Sequence, residues 1–100
     1  TDPARLDAVS TSLRVATEVP LETAALASEA AALLRTLVQQ TKPAVASDLK
    51  VGLLLALAAI EGGLENVRAN LKSLKNQRFN DEIASRIQAV KQSLVELKGL

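Results

Sequence analysis

The chain has 100 residues with 12 basic and 11 acidic side chains, and its formal charge of +1 provides no global field for nucleic acid. It contains no cysteine and no histidine, which excludes disulfides, thiolate or imidazole catalysis and the usual zinc ligands. Phe79 is the one aromatic residue, so base stacking is excluded and the core must be aliphatic. Abundant alanine and leucine predict a single all-α unit over residues 1–100, a bundle of about four helices with a long central buried helix.

The first helix is predicted to begin at Pro3, with Asp2 as its N-cap. Four apolar residues at spacings of three and four form one stripe along it: Leu6, Val9, Leu13 and Ala16. Pro20 cannot donate to the helical ladder and disfavours helical geometry before it, so the chain should kink or restart there. A second, alanine-rich helix then covers residues 21–38.

Residues 39–46 are predicted to connect to a third helix, which Ser47 or Asp48 would start by accepting hydrogen bonds from exposed backbone amides. This helix should run to about Lys75. Its residues 51–60 include no polar side chain. That run is about half as long as a bilayer span requires, so it favours a core helix of a soluble protein.

Two glycines, Gly62 and Gly63, lie inside the third helix and cost about 1–2 kcal/mol in helix propensity relative to alanines. Either the helix bends at this point or another element needs the space. Ala59 and Gly63 form a pair of small residues four apart, which favours close approach by another helix.

A fourth helix is predicted to start at Asn80, with acidic residues in its first turn. Its apolar residues form a heptad-like seam: Ile83, Ile87, Val90, Leu94 and Leu97. Such a seam packs on another helix. It also supports an alternative function for the chain, a non-catalytic helical-bundle oligomerisation module.

Polar residues at the two ends of the third helix are the candidates for a site. Asp48 and Asn66 are eighteen residues apart, so they share a helix face at a separation of roughly 27 Å. This separation leaves two alternatives. Asp48 and Asn66 either contact opposite ends of a long ligand or belong to different sites, each completed by other segments or by a symmetry-related subunit. Asn66 and Asn70 are one turn apart and can reach a common partner, although bonding within the bundle would explain both. Asp48 is either a helix cap or a carboxylate that pairs with a cationic substrate or transfers a proton.

Four basic residues lie between and after these amides: Arg68, Lys72, Lys75 and Arg78. They form a strip that is either a solvated face or a place for an anionic ligand tail.

Three ordered blocks carry a family resemblance: residues 16–22 (ATEVPLE), residues 47–51 (SDLKV) after Pro43, and residues 66–71 (NVRANL) followed by Phe79. Together they resemble the later half of the cyclodeaminase/cyclohydrolase family. That family includes the C-terminal domain of formiminotransferase-cyclodeaminase and bacterial methenyltetrahydrofolate cyclohydrolases.

The resemblance implies a cytoplasmic, all-α, metal-free enzyme that acts on methenyl- or formimino-tetrahydrofolate without a prosthetic group. It implies Asp48 as the acid/base or cation-stabilising residue, with Ser47 beside it. Asn66 and Asn70 would orient the substrate, and Lys72 in the basic strip would hold a tail carboxylate. The implied partners are the folate substrate, a second copy in a homodimer and the missing N-terminal half of the domain, with no nucleic acid and no membrane.

Two departures from the family pattern affect these expectations. Lys42 stands where the family often carries asparagine, which changes the charge of that loop. The glycine-rich upstream half of the domain is also missing, so we expect a piece of a longer protein. Its apolar stripes would then require a partner, and the fragment alone would be inactive or oligomeric. Reversible lipid binding is a third, weaker function, because the helix from Leu21 lacks a strongly charged face.

Overall fold

A computed structural model describes residues 2–99, and within that range the chain forms three α-helices and no strand. Helix α1 spans Pro3–Gln40, α2 spans Pro43–Ser73 and α3 spans Gln77–Lys98. Helices α1 and α2 form a long antiparallel hairpin, and α3 lies along one of its two grooves. The all-α prediction is confirmed. The expected number of helices, about four, is wrong for residues 2–99, which form three.

The helix count differs because α1 continues through Pro20. A proline at this position cannot donate a hydrogen bond to the carbonyl of Ala16, four residues earlier. The side chain of Asn70 in α2 replaces that donor, since its Nδ2 donates to the Ala16 carbonyl oxygen at 2.8 Å. Of the two alternatives expected at Pro20, a kink or a restart, the restart is wrong, because a partner from another helix satisfies the group that the proline leaves unpaired.

The connection between α1 and α2 is shorter than predicted and consists of Thr41 and Lys42. Helix α2 begins at Pro43, whose fixed φ suits the first helical position, and the N-cap Lys42 contributes no side-chain hydrogen bond. Asp48 consequently lies inside the second turn of α2. The expectation that Ser47 or Asp48 caps this helix is wrong.

Helix α3 also begins earlier than Asn80, at Gln77. The N-cap is Asn76, whose Oδ1 accepts from the backbone N–H of Phe79 at 3.1 Å. Phe79 is buried at this corner with the guanidinium of Arg14 over its ring, 5.2 Å from the centroid. Beyond the corner, the predicted seam of α3 faces the hairpin. Ile83 and Val90 belong to the core, and Ile87, Leu94 and Leu97 pack against it.

Close approach of the hairpin helices, predicted from the small residues, is confirmed at Gly63. A Cβ atom there would lie 2.7 Å from the carbonyl oxygen of Pro20 and 3.0 Å from the Cβ of Ala24. Gly62 differs, because a Cβ built on it meets no atom within 4 Å. The first glycine therefore faces outward, and the second allows the two backbones to touch.

The predicted burial of the central helix is correct for only one side of α2. Ile60 and Val67 are buried against the other helices, but Leu54 and Leu55 are 66% and 67% exposed. Helix α2 is long and apolar enough to cross a membrane by length and composition, with a mean hydropathy of 1.7 over 18 residues. Only 6% of that window is buried. The expectation of a core helix enclosed on every side is thus wrong for the single chain.

Candidate functional site

Two of the candidate site residues, Asp48 and Asn66, lie on an exposed stripe of α2 whose C-terminal part borders the groove with α1. We define the α2 outer face by seven exposed residues: Asp48, Val51, Leu55, Ala58, Gly62, Asn66 and Ala69. They recur at spacings of three and four along one uninterrupted helix, so they share a single stripe. Asp48 and Asn66 thus lie on one face, as predicted.

The side chain of Asp48 is exposed and, within residues 2–99, makes no hydrogen bond or ion pair. The neighbouring Ser47 lines a shallow cavity of about 540 Å³ at the turn between α1 and α2, together with Lys50 and Leu54. Asp48 is not part of that lining. The carboxylate is therefore available to a ligand, but the single chain does not enclose it.

The two asparagines are brought together at the groove of the hairpin that lies opposite α3. Asn66 lines a cavity of about 450 Å³ there, and Ala16 and Gly63 also contribute to it. Asn70 donates to the Ala16 carbonyl, so one of its amide donors is already used within the bundle. Asn66 makes no comparable bond within residues 2–99, which leaves its amide open to a ligand.

The basic strip is partly neutralised by acidic residues on the same helices. The Arg68 guanidinium lies 2.6 Å from the Glu65 carboxylate, and Arg78 lies 3.3 Å from Glu82. The hydrogen bond from Arg68, followed by its charge, lowers the pKa of Glu65 below the ordinary value, with a smaller contribution from the charge of Lys72. The same pair raises the pKa of Arg68. Lys72 is exposed and remains the better candidate for an anionic tail.

Sequence reasoning missed one further concavity, a cavity of about 730 Å³ between α2 and α3. Apolar side chains of both helices form its floor, and charged side chains form its rim. The floor consists of Leu64, Val67, Leu71, Ile87 and Leu94, and the rim of Glu61, Glu65, Arg68 and Lys91. The α3 half was detectable as part of the heptad-like seam, but its pairing with α2 required the tertiary arrangement.

Comparison with known protein families finds a match over most of the chain. The sequence model described as formiminotransferase-cyclodeaminase matches residues 2–89, which include all three blocks of the resemblance. No curated protein and no solved structure shows a significant match. The matched region covers most of the chain and all the predicted site residues. The chain therefore belongs to the formiminotransferase-cyclodeaminase family.

Proposed function

We propose that this chain is part of a folate-dependent one-carbon enzyme, a cyclohydrolase or cyclodeaminase that acts on methenyl- or formimino-tetrahydrofolate. The observation that carries the proposal is the family match over residues 2–89. An open carboxylate at Asp48 agrees with it, because the methenyl substrate has a cationic, amidinium-like carbon. A chain without cysteine or histidine must handle such a centre with carboxylates, amides, hydroxyls or lysines.

In this proposal Asp48 stabilises the substrate cation and moves a proton. In the hydrolytic reaction, water adds to the cationic carbon and gives its proton to the carboxylate; one carbon–nitrogen bond of the ring then breaks, and the nitrogen takes a proton. In the cyclodeaminase reaction, the folate amine outside the pterin ring attacks the carbon of the protonated formimino group and forms a carbon–nitrogen bond. The carboxylate passes the proton of that amine to the formimino nitrogen, whose bond to the carbon breaks so that it leaves as ammonia. Both need a proton carrier near the one-carbon unit, and Ser47 can donate a hydrogen bond beside it.

Binding of the rest of the folate is assigned to the far end of α2. Asn66 and Asn70 supply amides that suit the pterin, and the Lys72 ammonium suits a carboxylate of the glutamate tail. This end lies about 27 Å from Asp48 in the same chain, so one chain cannot surround a single pterin with both groups. We therefore propose that activity requires a homodimer or the remaining part of the domain.

Equilibrium dialysis with methenyl-tetrahydrofolate tests the proposal on the 100-residue chain. We expect saturable binding that Asp48→Asn weakens at least about tenfold, which corresponds to about 1.4 kcal/mol. Asp7→Asn is the matched control, because Asp7 is also an exposed helical aspartate but lies near the other end of the hairpin. Where turnover is measurable, Asp48→Asn should lower it about 10²–10⁴-fold with an unchanged circular dichroism spectrum. Equal effects of the two variants, or absence of saturable binding by the complete domain as well as by the 100-residue chain, would refute this function.

A helical-bundle oligomerisation module is the second candidate, and the exposed apolar residues of the hairpin favour it. Leu26 and Leu33 of α1 are 58% and 67% exposed, and Leu55 of α2 is exposed to a similar degree. Monomeric soluble proteins rarely leave contiguous apolar faces open to water. This candidate predicts self-association without folate affinity. It also predicts no effect of Asp48→Asn, since Asp48 is not a helix cap.

A further inference from the structure

We propose that the cavity between α2 and α3 is a second binding site, which takes a medium-chain alkyl carboxylate. Asp48 is not among the residues that line this cavity. The proposal is therefore independent of the folate function and is argued from the shape and the charge of the cavity alone.

The floor of the cavity is an apolar surface that the chain leaves partly uncovered. Leu64 and Leu71 of α2 and Ile87 and Leu94 of α3 pack against the core, but each of them is only half-buried. The cavity volume of about 730 Å³ lies within the range of small-molecule sites, about 300–1,000 Å³. An apolar ligand group would therefore remove from water a surface that the two helices do not cover for each other.

Both ends of the cavity are closed. At one end the chain turns from α2 into α3, and Leu74 and Phe79 are buried at this corner. At the other end Glu61 of α2 forms an ion pair with Lys98 of α3, which links the two helices across the cavity. A partner helix of about 12–15 residues, the shortest that is stable by itself, spans about 18–22 Å and would have to desolvate this ion pair. The closed ends thus favour a small molecule over a helix.

The length of the floor selects the length of the ligand. Leu64 and Leu71 are seven residues apart on α2, as are Ile87 and Leu94 on α3, so each side of the floor is about 10 Å long. The closed ends at Glu61 and Leu74 are about 20 Å apart by the same helical rise. An extended alkyl chain advances by about 1.25 Å per carbon, so about eight to twelve carbons cover the floor and stop short of both ends.

The charge at the rim selects an anionic head group. Glu65 is paired with Arg68, and Glu61 is paired with Lys98, so these four charges balance. Lys91 is exposed at the rim, and within residues 2–99 its side chain makes no hydrogen bond or ion pair. A carboxylate can accept a charge-assisted hydrogen bond from this ammonium, whereas a cationic head group would be repelled. The site therefore fits a monoanion with an apolar tail.

A free carboxylate fits the cavity better than a lipid bilayer does. The apolar floor lies between rims that carry charged side chains, so a bilayer could reach it only by taking those charges out of water. A single alkyl chain can lie on the floor and leave the rim hydrated.

Isothermal titration calorimetry on the 100-residue chain tests the length limit. The probes are hexanoate, octanoate, decanoate, dodecanoate and tetradecanoate, each kept below the concentration at which it forms micelles. Up to decanoate, each added CH₂ group should tighten binding about two- to fourfold, because the open cavity buries it partly or fully. Beyond dodecanoate the gain should stop at the charged end formed by Glu61 and Lys98. No saturable binding of decanoate, or an undiminished gain at tetradecanoate, would overturn the proposal.

Replacement of the unpaired cation tests the head group. Lys91→Gln should weaken the binding of decanoate about three- to fivefold and leave the binding of uncharged 1-decanol unchanged. Lys50→Gln is the matched control, because Lys50 is also an exposed helical lysine but does not line this cavity. Equal effects of the two variants on decanoate, or equal effects of Lys91→Gln on decanoate and 1-decanol, would contradict the assigned head-group contact and overturn the proposal.

Two neighbouring residues of α3 test the floor. Leu94→Gln should weaken the binding of decanoate about tenfold, which corresponds to about 50 Å² of apolar ligand surface left uncovered. Val95→Gln should have no effect, since Val95 is 64% exposed and lies outside the cavity lining. Circular dichroism checks that both variants keep the fold. Equal losses in the two variants would overturn the proposal.

Two further measurements distinguish this site from its alternatives. Binding of methenyl-tetrahydrofolate should be the same for Lys91→Gln as for the unmodified chain; a loss as large as that for decanoate would make the cavity part of the folate site and overturn the proposal. The chain should not sediment with vesicles of neutral phosphatidylcholine. Sedimentation that Leu94→Gln prevents would assign the floor to a lipid surface, with the same consequence.

Discussion

Adding one methyl group at each of the two adjacent glycines should have opposite effects on stability. Gly62→Ala removes a poor helix former at an open position, and the free energy of unfolding should rise by about 0.5–1 kcal/mol. Gly63→Ala gains the same propensity, but its new Cβ would lie 2.7 Å from the Pro20 carbonyl oxygen. Ordinary contact begins at 3.4 Å, so the hairpin must open by about 0.7 Å locally.

The free energy needed to open the hairpin is larger than the stabilisation that alanine gains from its higher helix propensity. Overpacking of a closely packed position costs about 1–3 kcal/mol, and here the clashing atom belongs to a backbone that cannot rotate away. The same movement stretches the hydrogen bond from Asn70 to Ala16, which contributes about 0.5–1.5 kcal/mol. We therefore expect Gly63→Ala to lower the free energy of unfolding by about 1–3 kcal/mol, net of propensity.

Urea denaturation followed by circular dichroism measures both variants, at the lowest usable protein concentration so that association contributes least. The two free energies should differ by about 2–4 kcal/mol, and the melting temperatures by at least about 8 °C. If Gly63→Ala stabilised the chain as much as Gly62→Ala does, the close backbone contact between α1 and α2 would be refuted.

The other two predictions concern a hydrogen bond and an ion pair. Asn70→Ala should lower the free energy of unfolding by about 0.5–1.5 kcal/mol in the native chain. The loss should be smaller in the Pro20→Ala background, because the backbone N–H of the new alanine can donate to the Ala16 carbonyl. A double-mutant cycle measured by urea denaturation checks this role, and equal losses in the two backgrounds would contradict it. Arg68→Gln should raise the pKa of Glu65 toward its ordinary value in an NMR titration, and an unchanged titration would argue against the ion pair. Because folding lowers that pKa, the pair stabilises the fold above the unfolded pKa of Glu65, and the benefit disappears as the pH falls through the folded value.

Local patterns predicted the features of the fold that depend on neighbours in sequence. Asp2 does cap α1, since its Oδ1 accepts from the Ala4 N–H at 3.0 Å. The apolar seam of α3 was readable because a helix repeats its buried positions every three or four residues. The resemblance from three short blocks was confirmed by the family match.

The wrong predictions concern one contact between residues distant in sequence and one choice between two neighbouring capping residues. Continuity of α1 through Pro20 depends on Asn70, which is 54 residues from Ala16, the residue whose carbonyl it serves. The earlier start of α3 puts the N-cap at Asn76, four residues before the asparagine chosen from the sequence. No local signal separates two asparagines that close together.

The candidate site was predictable as a helix face but not as an enclosed pocket. Helical periodicity alone placed Asp48 and Asn66 on one side of α2. No other segment within residues 2–99 covers the exposed side of α2, so the burial of residues 51–60 was overestimated. The roles of Ser47 and Lys72 stay predictions until ligand binding is measured.

The contact of Gly63 with Pro20 also means that the hairpin has one permitted axial setting. A shift of α2 by one turn in either direction would bring Ala59 or Val67, each with a Cβ, against the proline carbonyl. The same shift would carry Asn70 about 6 Å from Ala16 and leave that carbonyl without its donor. Sliding of α2 along α1 is therefore opposed by a steric clash with the Pro20 carbonyl and by loss of the hydrogen bond from Asn70 to Ala16. The position of Asp48 along the axis of α1 is therefore fixed by Gly63, which lies fifteen residues away in α2 and does not contact Asp48.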